Sequence, residues 1–192
     1  MQSLGEKIGI FALALTMLSL GTSPHPLILI LCYLIHEAGH LLFSKLVGAE
    51  MKCFRIRTLR LCLSYDCSSL TYPRELLVDF GGILFNLASA LIVALIPVFF
   101  GGVSDFFIIC NVSLALMNLY PVSVLDGGNI VKTVLLMITT EERAQEIFRI
   151  VSFVFALVLW LVAVYLQLVF SANISLLLIS VFLLVELCFA HA

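Results

Sequence analysis

His36-Glu37-Ala38-Gly39-His40 sets two imidazoles four residues apart with a carboxylate next to the first. On a helix, positions i and i+4 share one face, so both rings reach a single divalent cation. Glu37 is then placed to act as general base toward a water beside that cation, the arrangement used in metal-dependent hydrolysis. As a bare pattern, HExxH is weak. Its surroundings sharpen it, because the residues from Leu27 to Leu46 are otherwise mostly apolar. An ionisable side chain at the centre of a membrane helix costs about 2.5 kcal/mol or more when nothing pairs with it. The alternative is a pair of buried histidines satisfied by hydrogen bonds.

A catalytic zinc takes three protein ligands and keeps a fourth position open. The third ligand is therefore expected to be another costly side chain at similar depth. Residues 118–130 read NLYPVSVLDGGNI, and Asp126 is the candidate. Pro121 interrupts regular helix there. Irregular backbone at membrane depth is tolerated where it lines a polar cavity, and Gly127 and Gly128 permit tight geometry beside a metal. Asn86 stands alone in the apolar run FGGILFNLASA. Its amide either holds substrate backbone in an oxyanion-type role or makes an interhelical hydrogen bond among the small residues around it.

These side chains must be positioned by membrane helices. The chain has 192 residues, 62% hydrophobic and 11% charged, whereas soluble domains are about half apolar and about a quarter charged. The expected class is an all-α polytopic membrane protein, a single embedded domain over residues 1–192. Six spans are expected, at about residues 5–21, 27–47, 76–100, 103–120, 147–170 and 174–190. The first has a short apolar core resembling that of a signal peptide, but no small-x-small cleavage site follows, and it is read as a retained span. Lys7, the six basic residues from Lys45 to Arg74, and Lys132, Arg143 and Arg149 all fall on one side of this layout. The positive-inside rule makes that side cytoplasmic, with both termini and the metal site toward it, in a multi-pass cell-membrane protein.

Between the second and third spans, Phe54-Arg55-Ile56-Arg57 and Leu59-Arg60-Leu61 alternate apolar and basic. That period predicts a short membrane-associated β-hairpin; a plain basic loop is the alternative. The six cysteines form no CxxC pair and read as small apolar fillers in a reducing compartment. Cys32 lies one turn before His36, and His25 lies in a predicted outer loop. No basic cluster suggests nucleic acid, and the net charge of −2 is uninformative for a lipid-facing surface. The expected partners are the lipid bilayer and a membrane-tethered protein substrate, with oligomeric state open.

Together HEAGH at 36–40 and NLYPVSVLDGG at 118–128 resemble the site-2 protease family of intramembrane zinc metalloproteases. The second motif matches that family's N-x-x-P-x-x-x-L-D-G-G pattern, and GGILFN at 81–86 is a weaker third element in which Ile83 replaces the usual proline. Asn129 also stands where many relatives have arginine. The resemblance implies that His36, His40 and Asp126 bind one zinc ion, that Glu37 activates water, and that Asn86 holds substrate. It implies cleavage of a peptide bond within or next to a transmembrane segment of a tethered regulator, with residues 51–63 gripping an extended substrate. A minimal core is expected, without a periplasmic PDZ or a cytoplasmic CBS domain, nearest the sporulation-type branch. Three other readings share these residues. A metal carrier would show polar or broken spans on both sides of a central site. A metalloprotease of another class would draw its third ligand from Glu141, Glu142, Glu146 or Glu186. A catalytically inactive relative would only bind clients.

Overall fold

The computed structural model describes residues 25–49, 51–57, 60–65, 71–96, 103–170 and 174–189. The expected first span at 5–21 lies outside them. The described chain runs α1 (His25–Leu46), β1 (Met51–Arg57), β2 (Arg60–Tyr65), α2 (Tyr72–Leu95), α3 (Ser104–Asn118), α4 (Asp126–Ile138), α5 (Glu141–Phe170) and α6 (Ser175–Phe189). It divides into two compact units, one ending at Met117 and the other beginning at Asn118.

In the first unit, α1 ends at Gly48, whose φ of 73° is left-handed and suits a residue without a side chain. The amide of Ala49 donates to the carbonyl of Ser44 and that of Gly48 to Lys45, closing the helix in a Schellman motif. Thr71 opens α2 in extended conformation, with Pro73 in the first turn, where its missing N–H costs nothing. Cys32, Val93 and Phe107, one from each helix, form the buried core with Ile28, Ile35 and Leu114 packed around them. β1 and β2 pair antiparallel from Cys53↔Ser64 to Arg57↔Arg60, with an irregularity between Met51 and Cys53. A membrane-seated hairpin goes beyond this ladder, whose connecting residues 58 and 59 lie outside the described ones.

In the second unit, α5 begins where the Thr140 carbonyl accepts from the amide of Ala144. Its 30 residues make a rod of about 45 Å, longer than the roughly 30 Å hydrocarbon core. The polar turns Glu141–Glu146 therefore extend past the apolar part that follows. Val122, Ala156, Leu183 and Leu187 form the core. Large apolar side chains such as Leu161 and Leu168 face outward on α5, as lipid contact requires.

Among the described residues, three helices are long and apolar enough to cross a membrane: His25–Leu46, Tyr72–Leu95 and Glu141–Val169. Six crossings are not supported. The expected spans at 103–120 and 174–190 are helices of 15 residues each, about 22 Å long. Hydropathy marks the apolar run but not where the helix stops. α3 ends at Asn118 because Pro121 follows and the residue before a proline disfavours helical backbone. A second correction concerns residues 121–146, read as a connection but containing the 13-residue helix α4.

Candidate metal centre

The site in the first unit begins with a glycine contact. A Cβ at Gly39 of α1 would collide with the carbonyl of Gly81 and the Cα of Gly82 on α2, and one at Gly81 would stand 2.8 Å from the carbonyl oxygen of Gly39. The two backbones touch here, which only residues lacking side chains permit. His36 and His40 flank Gly39 and are thereby laid against α2. A Cβ at Gly82 would stand 2.5 Å from His40 Nε2 and 2.6 Å from His36 Cε1. Both rings rest on that bare Cα.

His40 Nδ1 donates to the backbone carbonyl of Val78 at 2.8 Å. The carbonyl has two lone pairs and can accept this bond in addition to its helical one. With its proton on Nδ1, His40 presents a lone pair at Nε2. That atom lies 3.2 Å from His36 Nε2. Two nitrogens each about 2.05 Å from a zinc ion at the tetrahedral angle lie about 3.3 Å apart. The imidazoles, nearly perpendicular at 86°, converge at the spacing a shared zinc needs. His36 is buried at 3% exposure, while Glu37 and His40 are half-buried. The Ser44 hydroxyl donates back to the carbonyl of His40 in the last turns of α1.

Asn86, 0% exposed, sits on the other side of His36, its Nδ2 3.5 Å from His36 Nδ1. Asn111 of α3 extends the polar set. Its Nδ2 donates to Cys32 Sγ at 3.0 Å and to the Phe107 carbonyl at 3.0 Å, and its Oδ1 accepts from the Ser89 hydroxyl at 3.1 Å. Sequence reasoning missed Asn111, although an asparagine inside an apolar helix carries the same signal as Asn86. It placed Cys32 one turn from His36 but gave it no partner. His25 packs at the start of α1 against Phe106, with ring centroids 4.2 Å apart.

Asp126 belongs to the second unit. It is buried at 7% exposure and is the first residue of α4, where a carboxylate is favoured by the helix dipole. The approach to it is folded tightly. The amide of Val122 donates to the Tyr120 carbonyl, a three-residue turn centred on Pro121, and the amide of Leu125 donates to Val122. A Cβ at Gly127 would collide with the carbonyls of Leu119 and Tyr120, and one at Gly128 with that of Val122. The paired glycines let the loop fold onto the helix start and hold Asp126 in place. Tyr120 fixes the same loop by donating its hydroxyl to the Phe155 carbonyl at 2.9 Å.

Imidazole nitrogens and carboxylate oxygens are both donors that zinc accepts, and the geometry of the two histidines in the first unit fits it. The model of peptidase family M50 matches residues 101–162, which take in α3, the NLYPVSVLDGG loop, α4 and most of α5. The match is to the family as a whole and singles out no branch of it. No curated protein matches this sequence. HEAGH lies outside the matched stretch and stands on its own geometry. The family's loop motif lies in the matched stretch, and three helices among the described residues are long and apolar enough to cross a membrane: the chain is a membrane protein that over residues 101–162 is similar to peptidase family M50, the site-2 protease family of intramembrane zinc metallopeptidases.

Proposed function

We propose that this chain hydrolyses a peptide bond within or next to a transmembrane segment of a membrane-tethered regulator. The reading is carried by the 3.2 Å convergence of His36 and His40 Nε2, the separation two tetrahedral zinc ligands require. Asp126 is the proposed third ligand, giving one zinc per chain. Zinc held there supplies Lewis acidity, polarising the scissile carbonyl and bringing the pKa of water toward about 7. Glu37 takes the proton from the attacking water on its carboxylate and returns it to the leaving amine nitrogen. Gly82 keeps the space beside both rings free of side chain.

A substrate helix must unwind first, because its carbonyls are hydrogen-bonded along the axis. The β1–β2 ladder offers backbone to pair with the unwound segment by strand addition. Asn86 is expected from the sequence to hold substrate, and in the structure its side chain contacts His36. The bond is cut toward the cytoplasmic face of the cell membrane. In the first unit Lys45 lies at the end of α1 and Arg74 at the start of α2, and in the second Arg143 and Arg149 lie in the first turns of α5, each at a helix end that the positive-inside rule assigns to the cytoplasm.

The test compares N-termini of membrane proteins in cells lacking the endogenous enzyme and supplied with wild type or Glu37→Gln. Fragments starting within or beside transmembrane segments are expected with wild type alone, while both purified proteins hold zinc equally. The same fragments with both proteins would overturn the reading.

A further inference from the structure

We infer that Asn86 is a positioning residue that sets the tautomer of His36, its side-chain amide turned one way for each form of the ring. The inference rests on the metal-site reading above. Three bonds at and beside His36 share one consistent direction. Asn86 Nδ2 donates to His36 Nδ1, His36 Nε2–H faces the lone pair of His40 Nε2, and His40 Nδ1–H donates to the Val78 carbonyl. In that chain His36 carries its proton on Nε2. Ligation through Nε2 needs the opposite tautomer, with the proton on Nδ1 and an acceptor facing it.

Asn86 supplies that acceptor without moving its backbone. Its Oδ1 is buried and has no hydrogen-bond partner among the described residues. Rotating the amide by a half-turn exchanges Oδ1 and Nδ2 and brings the oxygen to the position 3.5 Å from His36 Nδ1. The orphaned oxygen then accepts the Nδ1 proton, and His36 offers a lone pair at Nε2 beside that of His40. The proton count on the ring is unchanged: one proton leaves Nε2 and one arrives at Nδ1. A primary amide does this because it has a donor on one side and an acceptor on the other. Leucine, of similar size, offers neither, and aspartate offers acceptors alone. The Asn86 backbone is itself held, since its carbonyl accepts from the Ser89 hydroxyl at 2.9 Å. His40 reaches the same end through a fixed backbone carbonyl, so within the first unit only His36 needs a partner that turns.

The test measures zinc affinity in detergent-purified full-length protein by competition with a chelator. Asn86→Leu is expected to bind zinc about 10- to 100-fold more weakly than wild type, and Asn86→Asp to stay close to wild type. Cobalt substitution adds a spectroscopic readout: the d–d bands of tetrahedral cobalt are expected to be wild-type-like in Asn86→Asp and distorted in Asn86→Leu. A residue that only holds substrate would raise KM in both variants and leave zinc affinity and the cobalt bands unchanged, which would overturn the inference. Should Asn86→Leu not fold, imidazole 15N shifts in wild type decide. Zinc-loaded protein is expected to show His36 protonated at Nδ1, and its amide correlated with Asn86; a ligating Nδ1 would overturn the assignment. Failure of wild type to bind zinc would instead remove the metal-site reading itself.

Discussion

Replacing Gly82 with alanine adds a single methyl group where both imidazoles rest, and its effect follows from distances. The added carbon would lie 2.5 Å from His40 Nε2, 2.6 Å from His36 Cε1 and 2.8 Å from His36 Nδ1. Ordinary contact begins near 3.5 Å, so the rings must retreat by about 1 Å. A zinc site tolerates about 0.2 Å in its ligand distances. His40 cannot retreat freely, because its Nδ1 is held at 2.8 Å by the Val78 carbonyl on the same helix as Gly82. Moving the ring by about 1 Å takes that bond beyond hydrogen-bonding range and leaves the carbonyl with its helical partner alone. Overpacking typically destabilises by about 1–3 kcal/mol, enough to soften the fold without abolishing it. Zinc affinity is expected to fall by about 100-fold or more, since both ligand positions shift beyond the tolerance. The assay is metal content after equilibration in a zinc buffer, with helical content and thermal unfolding in detergent as controls for folding. Leu84→Ala, on the outward face of α2, should leave zinc unchanged. Folded Gly82→Ala protein with one zinc at wild-type affinity would refute the placement of the rings on α2.

Two further outcomes are expected. Asp126→Ala should lower zinc from one per chain to a small fraction, measured on protein purified in parallel with wild type; full retention would move the third ligand to another residue. Tyr120→Phe removes the hydroxyl that donates to the Phe155 carbonyl and should lower stability by about 1 kcal/mol, seen as earlier thermal unfolding with zinc content unchanged. A loss of zinc in that variant would show that the loop, and not Asp126 alone, controls the metal.

The convergence of the two imidazoles was legible in the sequence because helical spacing encodes a shared face: His36 and His40 can only point together once α1 is a helix. Asp126 and Asn86 were legible for another reason, the cost of polar side chains in an apolar run. The helix α4 was missed because Pro121 and the paired glycines read as a turn. Yet Ile130, Val131, Val134, Leu135 and Ile138 recur at helical intervals behind Asp126, a signal for an amphipathic helix start. The six expected crossings rested on apolar composition, which marks α3 and α6 but does not set their length, 15 residues each. The partner of His40 could not be read at all. A backbone carbonyl has the same chemistry at every residue, and the one at Val78 is selected only by the contact of Gly39 with Gly81.

That contact also bears on why the partners of the two imidazoles are neutral. Many zinc histidines are oriented by carboxylates, which make the ring a stronger donor. Here the nitrogens directed away from the shared point meet a peptide carbonyl and a primary amide. On the proposed ligand set, the double charge of zinc is cancelled by Asp126 and Glu37 together. A third carboxylate would make the site net negative in a low-dielectric surrounding, where an uncompensated charge costs several kcal/mol. It would also oppose Lewis acidity by donating more charge through the ring. Neutral partners fix the tautomers without that penalty, but they demand close approach, since a carbonyl cannot extend toward its donor as a long side chain does. The glycine contact supplies the approach. The Asn86→Asp protein tests the balance: it should hold zinc as wild type does and cleave more slowly, because it keeps the acceptor and adds the charge.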